Sequence, residues 1–238
     1  MKFQVKKTIK IGFWQILDWV YPPSCAVCGM PGYSLCGNCQ AEIKFITGKI
    51  CQNCGKSVDP KKNFCNDCRK GINNFDGVRS LAYYGGVVRD CIHALKYENN
   101  RTLGKYFAGL LHPIMKREPW PFDVVVPVPL SYERMKERGY NQAASIARPL
   151  ALFLDLPYQT YCLEQVRDTR SQVGLSAEER RENVIDAFKA VPELIRNRNI
   201  LLVDDVMTTG ATLNACSVEL KKAGAEKVYC ATIARFSG

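Results

Sequence analysis

Two adjacent carboxylates followed by threonines and a glycine form the most informative stretch of the chain, LLVDDVMTTGAT at residues 201–212. Asp204 and Asp205 repel each other, and the small hydroxyl residues after them contribute little packing, which indicates ligand binding. We expect a strand that ends in the two acids and a helix that begins near Ala211, whose N-terminal N–H groups can hold a phosphate. Carboxylates tolerate such a neighbour when they accept hydrogen bonds from sugar hydroxyls. The stretch therefore predicts a site for a ribose 5-phosphate unit.

A second anion site is predicted in PVPLSYERMKERGYNQA, residues 127–143. Arg134, Lys136 and Arg138 lie in a charged loop that follows the presumed first strand, and Gly139 allows a turn into the next helix. Because arginine guanidinium groups match phosphate oxygens, these residues are candidates for binding a pyrophosphate. A solvated run of charges is the alternative interpretation.

The charged stretch VRDTRSQVGLSAEERRENVIDAF, residues 166–188, is too polar for a core strand. It is typical of a mobile lid, with Arg167, Arg170 and Gln172 as candidate ligand contacts. The capping pattern Ser176-x-x-Glu179 predicts a helix within it. An inert surface loop is the alternative.

Cysteines of the first third come in C-x2-C pairs, and two thiolates at that spacing can reach one tetrahedral ion. Four pairs predict two structural zinc sites, since nothing in the sequence indicates the secretory route that would favour disulfides. Sequential pairing closes shorter loops than crossed pairing, which favours a double zinc ribbon, although crossed pairing stays open. The predicted ligands are Cys25, Cys28, Cys36, Cys39, Cys51, Cys54, Cys65 and Cys68.

Composition supports an anionic partner. The 238 residues carry a formal net charge of +10. Eight zinc-bound thiolates and two divalent ions would lower this to about +6, so the basic character survives. No apolar run is long enough to cross a bilayer, which needs about 18 residues, and we expect a cytoplasmic protein without a transmembrane segment. Residues 1–20 read as an amphipathic helix that packs on the protein or contacts a membrane surface.

Strand-like and helix-like segments alternate after the cysteine region, which predicts a parallel sheet covered by helices on both faces. We expect an N-terminal helix at 1–20, a double zinc ribbon at 21–72 and an α/β domain with its own core at 73–238. The predicted elements of that domain are strands near 75–85, 122–130, 158–163, 199–205 and 227–234, and helices near 87–100, 141–154, from 176 and 211–223.

The stretch ILLVDDVMTTGAT resembles the phosphoribosyl pyrophosphate (PRPP) fingerprint of type I phosphoribosyltransferases. This resemblance implies that Asp204 and Asp205 hold the ribose hydroxyls, with magnesium bridging pyrophosphate and ribose oxygens. It further implies that the loop Met207, Thr208, Thr209, Gly210, Ala211 and Thr212 holds the 5-phosphate.

The motifs taken together resemble the ComF family of competence proteins. Those motifs are the cysteine pairs, HALKY at 93–97, R-x3-R-G-Y-N-Q from Arg134, R-x4-Q-x2-L-S-x3-R-x2-N from Arg167 and the fingerprint. Tyr140 stands where many members have phenylalanine. The resemblance implies a type I phosphoribosyltransferase-like fold and participation in DNA uptake, with single-stranded DNA and the uptake machinery as partners.

Two functions are compatible with these residues. One is a PRPP-binding protein that handles single-stranded DNA during natural transformation. The alternative is an active phosphoribosyltransferase that transfers phosphoribosyl from PRPP to an acceptor and releases pyrophosphate. The sequence names no acceptor site and no catalytic residue; Tyr83, Tyr84 and Tyr97 either stack a base or pack in the core.

Overall fold

The computed structural model describes residues 24–71, 73–167, 179, 183–184 and 186–237. The predicted helix at 1–20 lies outside these residues, and the helix predicted from Ser176 lies largely outside them. The described strands are β1 Gly77–Tyr83, β2 Val124–Pro127, β3 Leu163–Gln165, β4 Phe188–Ala190, β5 Asn199–Met207 and β6 Lys227–Arg235. The helices are α1 Gly37–Ala41, α2 Asn66–Arg69, α3 Gly86–Tyr97, α4 Thr102–Arg117, α5 Tyr132–Arg138, α6 Gln142–Leu154, α7 Pro192–Ile195 and α8 Ala211–Lys222.

A parallel sheet of four strands, in the order β1-β6-β5-β2, forms the centre of the molecule. The parallel sheet predicted from the alternation is confirmed. The remaining strands, β3 and β4, pair antiparallel in a separate ribbon. The strand expected near 158–163 is therefore divided: Tyr158 makes one parallel bridge to Val125, and the strand itself begins only at Leu163.

Both faces of the sheet are buried, as the apolar strands require. Alternate strand residues such as Leu201 and Val203 pack with α3, α4 and α6 on one face. Their neighbours Ile200 and Leu202 pack with α8 on the other face. Each face also includes cysteines from one of the two clusters, Cys25, Cys36 and Cys39 on the first and Cys51, Cys54 and Cys65 on the second. The sequence suggested an α/β domain with a core of its own, but the core is shared with the cysteine region.

The cysteine region also covers the outer edge of β1, where backbone groups would otherwise be unpaired. The N–H of Val78 donates to the carbonyl of Asn53 at 2.6 Å, and the N–H of Tyr83 donates to the carbonyl of Lys44 at 2.9 Å. Backbone bonds of this kind connect the region to the sheet along the length of β1.

Two helices differ from the sequence interpretation. The sequence pattern does not predict α4, because Gly104, Gly109 and Pro113 interrupt its helical periodicity. Gly104 is required by packing, since a Cβ there would come within 2.4 Å of the Ser145 carbonyl oxygen on α6. The segment expected as a charged loop forms α5, capped by the Ser131 side chain and ended by Gly139 at φ 73°.

None of the helices in the described part of the chain is long and apolar enough to cross a membrane.

Candidate functional site

The acid pair lies where β5 extends past its neighbour. β2 ends at Pro127, opposite Val203, whereas β5 continues to Met207, so the strand extends two residues past the acids at which it was predicted to end. Beyond Val203 the β2 side of β5 is open. Successive strand residues point to opposite faces, so Asp204 and Asp205 reach the open edge from opposite sides of the sheet.

Asp205 forms an ion pair with Lys96 near the C-terminal end of α3. The Lys96 Nζ lies 2.8 Å from Asp205 Oδ2, and both side chains are largely buried. Burial opposes the charge on Lys96, but the ion pair with Asp205 outweighs it and raises the pKa of the lysine. Lys96 belongs to the HALKY motif, yet the sequence interpretation assigned it no function, because only the fold brings α3 to the end of β5.

Asp204 is held in a different electrostatic state. Burial and the neighbouring Asp205 raise its pKa to about 7, against the effect of the Asp205 N–H, which donates to Asp204 Oδ1 at 2.8 Å. A carboxyl group with a pKa near neutrality can accept or donate a hydrogen bond to a sugar hydroxyl. The two acids therefore offer a ligand one ion-paired carboxylate and one group that titrates near physiological pH.

The threonine loop connects β5 to α8 in the way that the sequence predicted. Gly210, at φ 81°, is the N-cap of α8, and the Thr209 side chain accepts a hydrogen bond from the Ala211 N–H at 3.4 Å. The positive φ of Gly210 is a conformation that other residues adopt only with strain, so this position favours glycine. The N-terminal N–H groups of α8 are thus presented by a tight, supported turn.

The loop residues divide between two cavities. Thr208 and Thr212 line a cleft of about 690 Å³ together with the acids and Lys96. Thr209, Gly210 and Ala211 line a neighbouring cavity of about 340 Å³. Met207 is buried beneath the loop. Of the predicted PRPP residues, the larger cleft thus brings together Asp204, Asp205, Thr208 and Thr212.

Helix α5 supplies the basic side of the same cleft. Arg134 and Arg138, one helical turn apart, both line it, whereas Lys136 is exposed and does not. Residues four apart share a helix face, so Arg134 and Arg138 point the same way. Lys136, two residues from each, points elsewhere. Arg138 Nη1 donates to Gln142 Oε1 at 2.9 Å, and its guanidinium carbon lies 5.2 Å from the centre of the Tyr97 ring.

The predicted lid is described only in part. Arg167 donates from Nη2 to the Asn183 carbonyl at 3.1 Å and is exposed, while its neighbour Gln165 lines the cleft. Arg170 and Gln172 lie outside the described residues.

Aromatic side chains complete the cleft. Tyr84 and Tyr97 line it, and so does Phe236, which the sequence interpretation did not consider. Tyr83 faces away, with its hydroxyl 2.5 Å from Ser57 Oγ. Phe236 follows β6 directly, so its position at the carboxyl edge of a parallel sheet is the signal that could have identified it.

The cysteines form two clusters with the sequential pairing that the sequence favoured. Within each cluster of four, all sulfur atoms lie within 4.8 Å of one another; Cys28 and Cys36 are 3.6 Å apart, and Cys54 and Cys65 are 3.7 Å apart. Four sulfurs at about 2.3 Å from one zinc ion would be about 3.8 Å apart in a tetrahedron, so the residues present fit structural zinc. Backbone N–H groups of Cys36 and Cys65 donate to the sulfurs of Cys25 and Cys51, both at 3.4 Å, which favours the thiolates that zinc requires.

Comparison with known proteins places this arrangement in a recognised class. Residues 136–236 match the phosphoribosyl transferase domain, and residues 16–69 match the double zinc ribbon domain. The fold is therefore of the phosphoribosyltransferase class, with a parallel sheet flanked by helices and an N-terminal double zinc ribbon.

Full-length relatives identify the family. The chain is 32% identical over 210 residues to competence protein F of Haemophilus influenzae, covering 84% of this chain and 90% of the relative. It is 30% identical over 205 residues to competence protein ComFC of Streptococcus pneumoniae, covering 84% and 87%. It is 28% identical over 222 residues to the DNA utilization protein YhgH of Escherichia coli K12, covering 88% and 96%. The chain belongs to the ComF family of competence proteins.

Proposed function

We propose that the protein binds PRPP in the cleft at the end of β5 and acts in the handling of single-stranded DNA during DNA uptake. The observation that carries the PRPP part is the meeting of the two acids, two threonines of the loop and two arginines in one cleft. Asp204, Asp205, Thr208, Arg134 and Arg138 come from separate elements yet line the same space of about 690 Å³. The DNA part is supported by the names of the relatives, which concern competence and DNA utilization.

The arrangement of charge suits a phosphorylated sugar. The ribose diol would be held by the acids at the open edge of β5, and the 5-phosphate by the N-terminus of α8 and its threonines. The pyrophosphate would lie toward Arg134 and Arg138, whose guanidinium groups suit phosphate oxygens. Carboxylate oxygens are hard donors that suit magnesium, which would accompany PRPP mainly through ligand and water oxygens.

The ion pair of Lys96 predicts that two kinds of ligand respond differently when the acids are removed. Because its ammonium group pairs with Asp205, removing the acids releases a cation into the cleft. A ligand that needs the acids should then bind less well, and a simple anion should bind better. The two effects have opposite signs, so they can be separated from a general loss of structure.

The test is binding of PRPP and of pyrophosphate, both with magnesium, to the double variant Asp204→Ala/Asp205→Ala by calorimetric titration. Each lost charged hydrogen bond is worth about 1.5 to 3 kcal/mol, so PRPP affinity should fall by at least about tenfold. Pyrophosphate affinity should stay equal or rise, since two negative charges have left the site.

The control is Glu193→Ala/Glu226→Ala, which removes two exposed acids outside the cleft and should leave both affinities unchanged. If both ligands weaken together while the circular dichroism spectrum is native, the acids support the loop and do not hold the sugar. A pyrophosphate-release assay with a panel of bases and nucleic acids distinguishes a binding protein from an active phosphoribosyltransferase.

A further inference from the structure

Two aromatic rings are stacked face to face at one side of the cleft. Tyr84 follows β1 and Phe236 follows β6, and the strand register that pairs Tyr83 with Arg235 places the two residues side by side. Their ring centres are 4.5 Å apart with an angle of 14° between the planes. The Tyr84 N–H donates to the Arg235 carbonyl at 2.7 Å, and the Phe236 N–H donates to the Met207 carbonyl at 3.1 Å. The backbone therefore holds both rings in place beside the strand that carries the acids.

Tyr84 packs against the hydrophobic core, whereas Phe236 belongs to neither core cluster. Phe236 is 45% exposed, and Tyr97, which also lines the cleft, is 57% exposed. Leaving large aromatic surface in water forgoes the free energy that burial would supply. Rings that are held rigidly and left open at the mouth of a cleft are typical of a stacking surface for a planar ligand.

Positive charge accompanies these rings. Arg138 lies over the ring of Tyr97, and Arg134 lines the same cleft. Aromatic side chains next to basic groups form the usual binding surface for single-stranded nucleic acid, in which bases stack on rings while phosphates meet the cations. A base alone would need the rings but not the neighbouring charges.

We infer that Phe236, supported by Tyr84, stacks an unpaired nucleobase carried by a single DNA strand, next to the part of the cleft that the sugar phosphate would occupy. Tyr97 contacts the same strand from the opposite helix, with Arg138 close to the backbone phosphates. This inference rests on the DNA part of the proposed function and assigns it a location. Stacking on a ring is tolerant of base identity, so the subsite selects an exposed base and not a sequence.

The experiment compares two labelled strands of about ten nucleotides, one of thymidylates and one of abasic sites with the same charge. Fluorescence anisotropy measures their binding to the wild type and to Phe236→Leu, which keeps an apolar side chain but removes the ring. Loss of one stacked base should weaken binding of the thymidylate strand by about five- to a hundredfold. Binding of the abasic strand should not change.

Tyr161→Leu is the matched control, because Tyr161 is 81% exposed and lies outside the cleft. It should leave both strands unaffected. Unchanged binding of the thymidylate strand to Phe236→Leu, or an equal loss for both strands, would overturn the inference. Tighter binding of free thymine or adenine than of the strand, abolished by Phe236→Leu, would show that the ring holds a small acceptor and that the single-strand assignment is wrong.

PRPP binding to the same variants separates this inference from the rest of the proposed function. Phe236→Leu should retain wild-type affinity for PRPP, since the ring is not among the groups that hold the sugar phosphate. A wild-type protein that does not bind PRPP would contradict the PRPP part of the proposed function alone, because the comparison of strands requires no PRPP.

Discussion

At the scale of single residues, the surroundings of Asp204 disfavour its ionised form. An aspartate in the unfolded chain ionises near pH 4, whereas burial and Asp205 raise the folded-state pKa of Asp204 to about 7. Between these pH values the folded state retains a proton that the unfolded chain has released. Stability therefore falls as pH rises from about 4 to 7, and this loss is complete above the folded-state pKa.

Asp204→Asn should consequently be more stable than the wild type at pH 8, by up to about 4 kcal/mol. The amide cannot ionise but keeps an oxygen that can accept the hydrogen bond from the Asp205 N–H. The advantage should shrink by about half at pH 5.5, where the wild type is largely protonated. Urea unfolding of both proteins at the two pH values measures the difference in their free energies of unfolding. Effects of pH on the cysteine clusters are common to both proteins and cancel in that difference. A variant that is less stable at pH 8, or an advantage independent of pH, would contradict this account.

At the scale of elements, the second cysteine cluster supports the threonine loop between β5 and α8. The Asn73 side-chain amide donates to Cys68 Sγ at 3.5 Å, and the N–H of the next residue, Asn74, donates to Asn214 Oδ1 on α8 at 2.6 Å. Phe75 then packs near Gly210 at the start of the same helix. The first cluster has a different neighbour, because Cys25, Cys36 and Cys39 pack on the sheet face that carries α3.

Loss of either cluster should therefore loosen a different element. Cys68→Ser should speed amide hydrogen exchange at residues 209–214 by about tenfold, which corresponds to about 1.4 kcal/mol of local stability. Cys28→Ser, the matched change at the less buried end of the first cluster, should instead speed exchange in α3. Each variant should retain one zinc ion per chain where the wild type holds two, as measured by elemental analysis. Equal exchange patterns in the two variants would show that the clusters do not act on separate elements.

At the scale of the whole molecule, net charge bears on the proposed binding of single-stranded DNA. The chain has 33 basic and 23 acidic residues, and about +6 of formal charge remains when eight thiolates and two zinc ions are included. Binding of a single strand through lysine and arginine contacts releases counterions, so affinity should fall steeply with salt.

For about four phosphate contacts, affinity for single-stranded DNA should fall about fiftyfold between 50 and 200 mM salt. Fluorescence anisotropy at a series of salt concentrations gives the slope, and two strands of different sequence should give the same one. Affinity that does not change over this range would exclude the electrostatic contribution. A strong difference between the two sequences would indicate recognition of particular bases.

Much of this protein follows from local sequence. Each cysteine pair, each apolar strand and the threonine loop after the two acids lies within a few consecutive residues. Spacing and side-chain chemistry were therefore enough to predict the cysteine clusters, the parallel sheet and the loop at the start of α8. The family resemblance rests on the same local motifs. The meeting of Lys96 with Asp205 and of Tyr84 with Phe236 could not be predicted in this way, because it depends on which elements are neighbours and where each one ends. Tertiary structure also decided that Arg134 and Arg138 face the cleft while Lys136 does not, and that both cysteine clusters join the core. Sequence periodicity indicates that a side chain is buried, but only the packed sheet determines which distant side chain meets it.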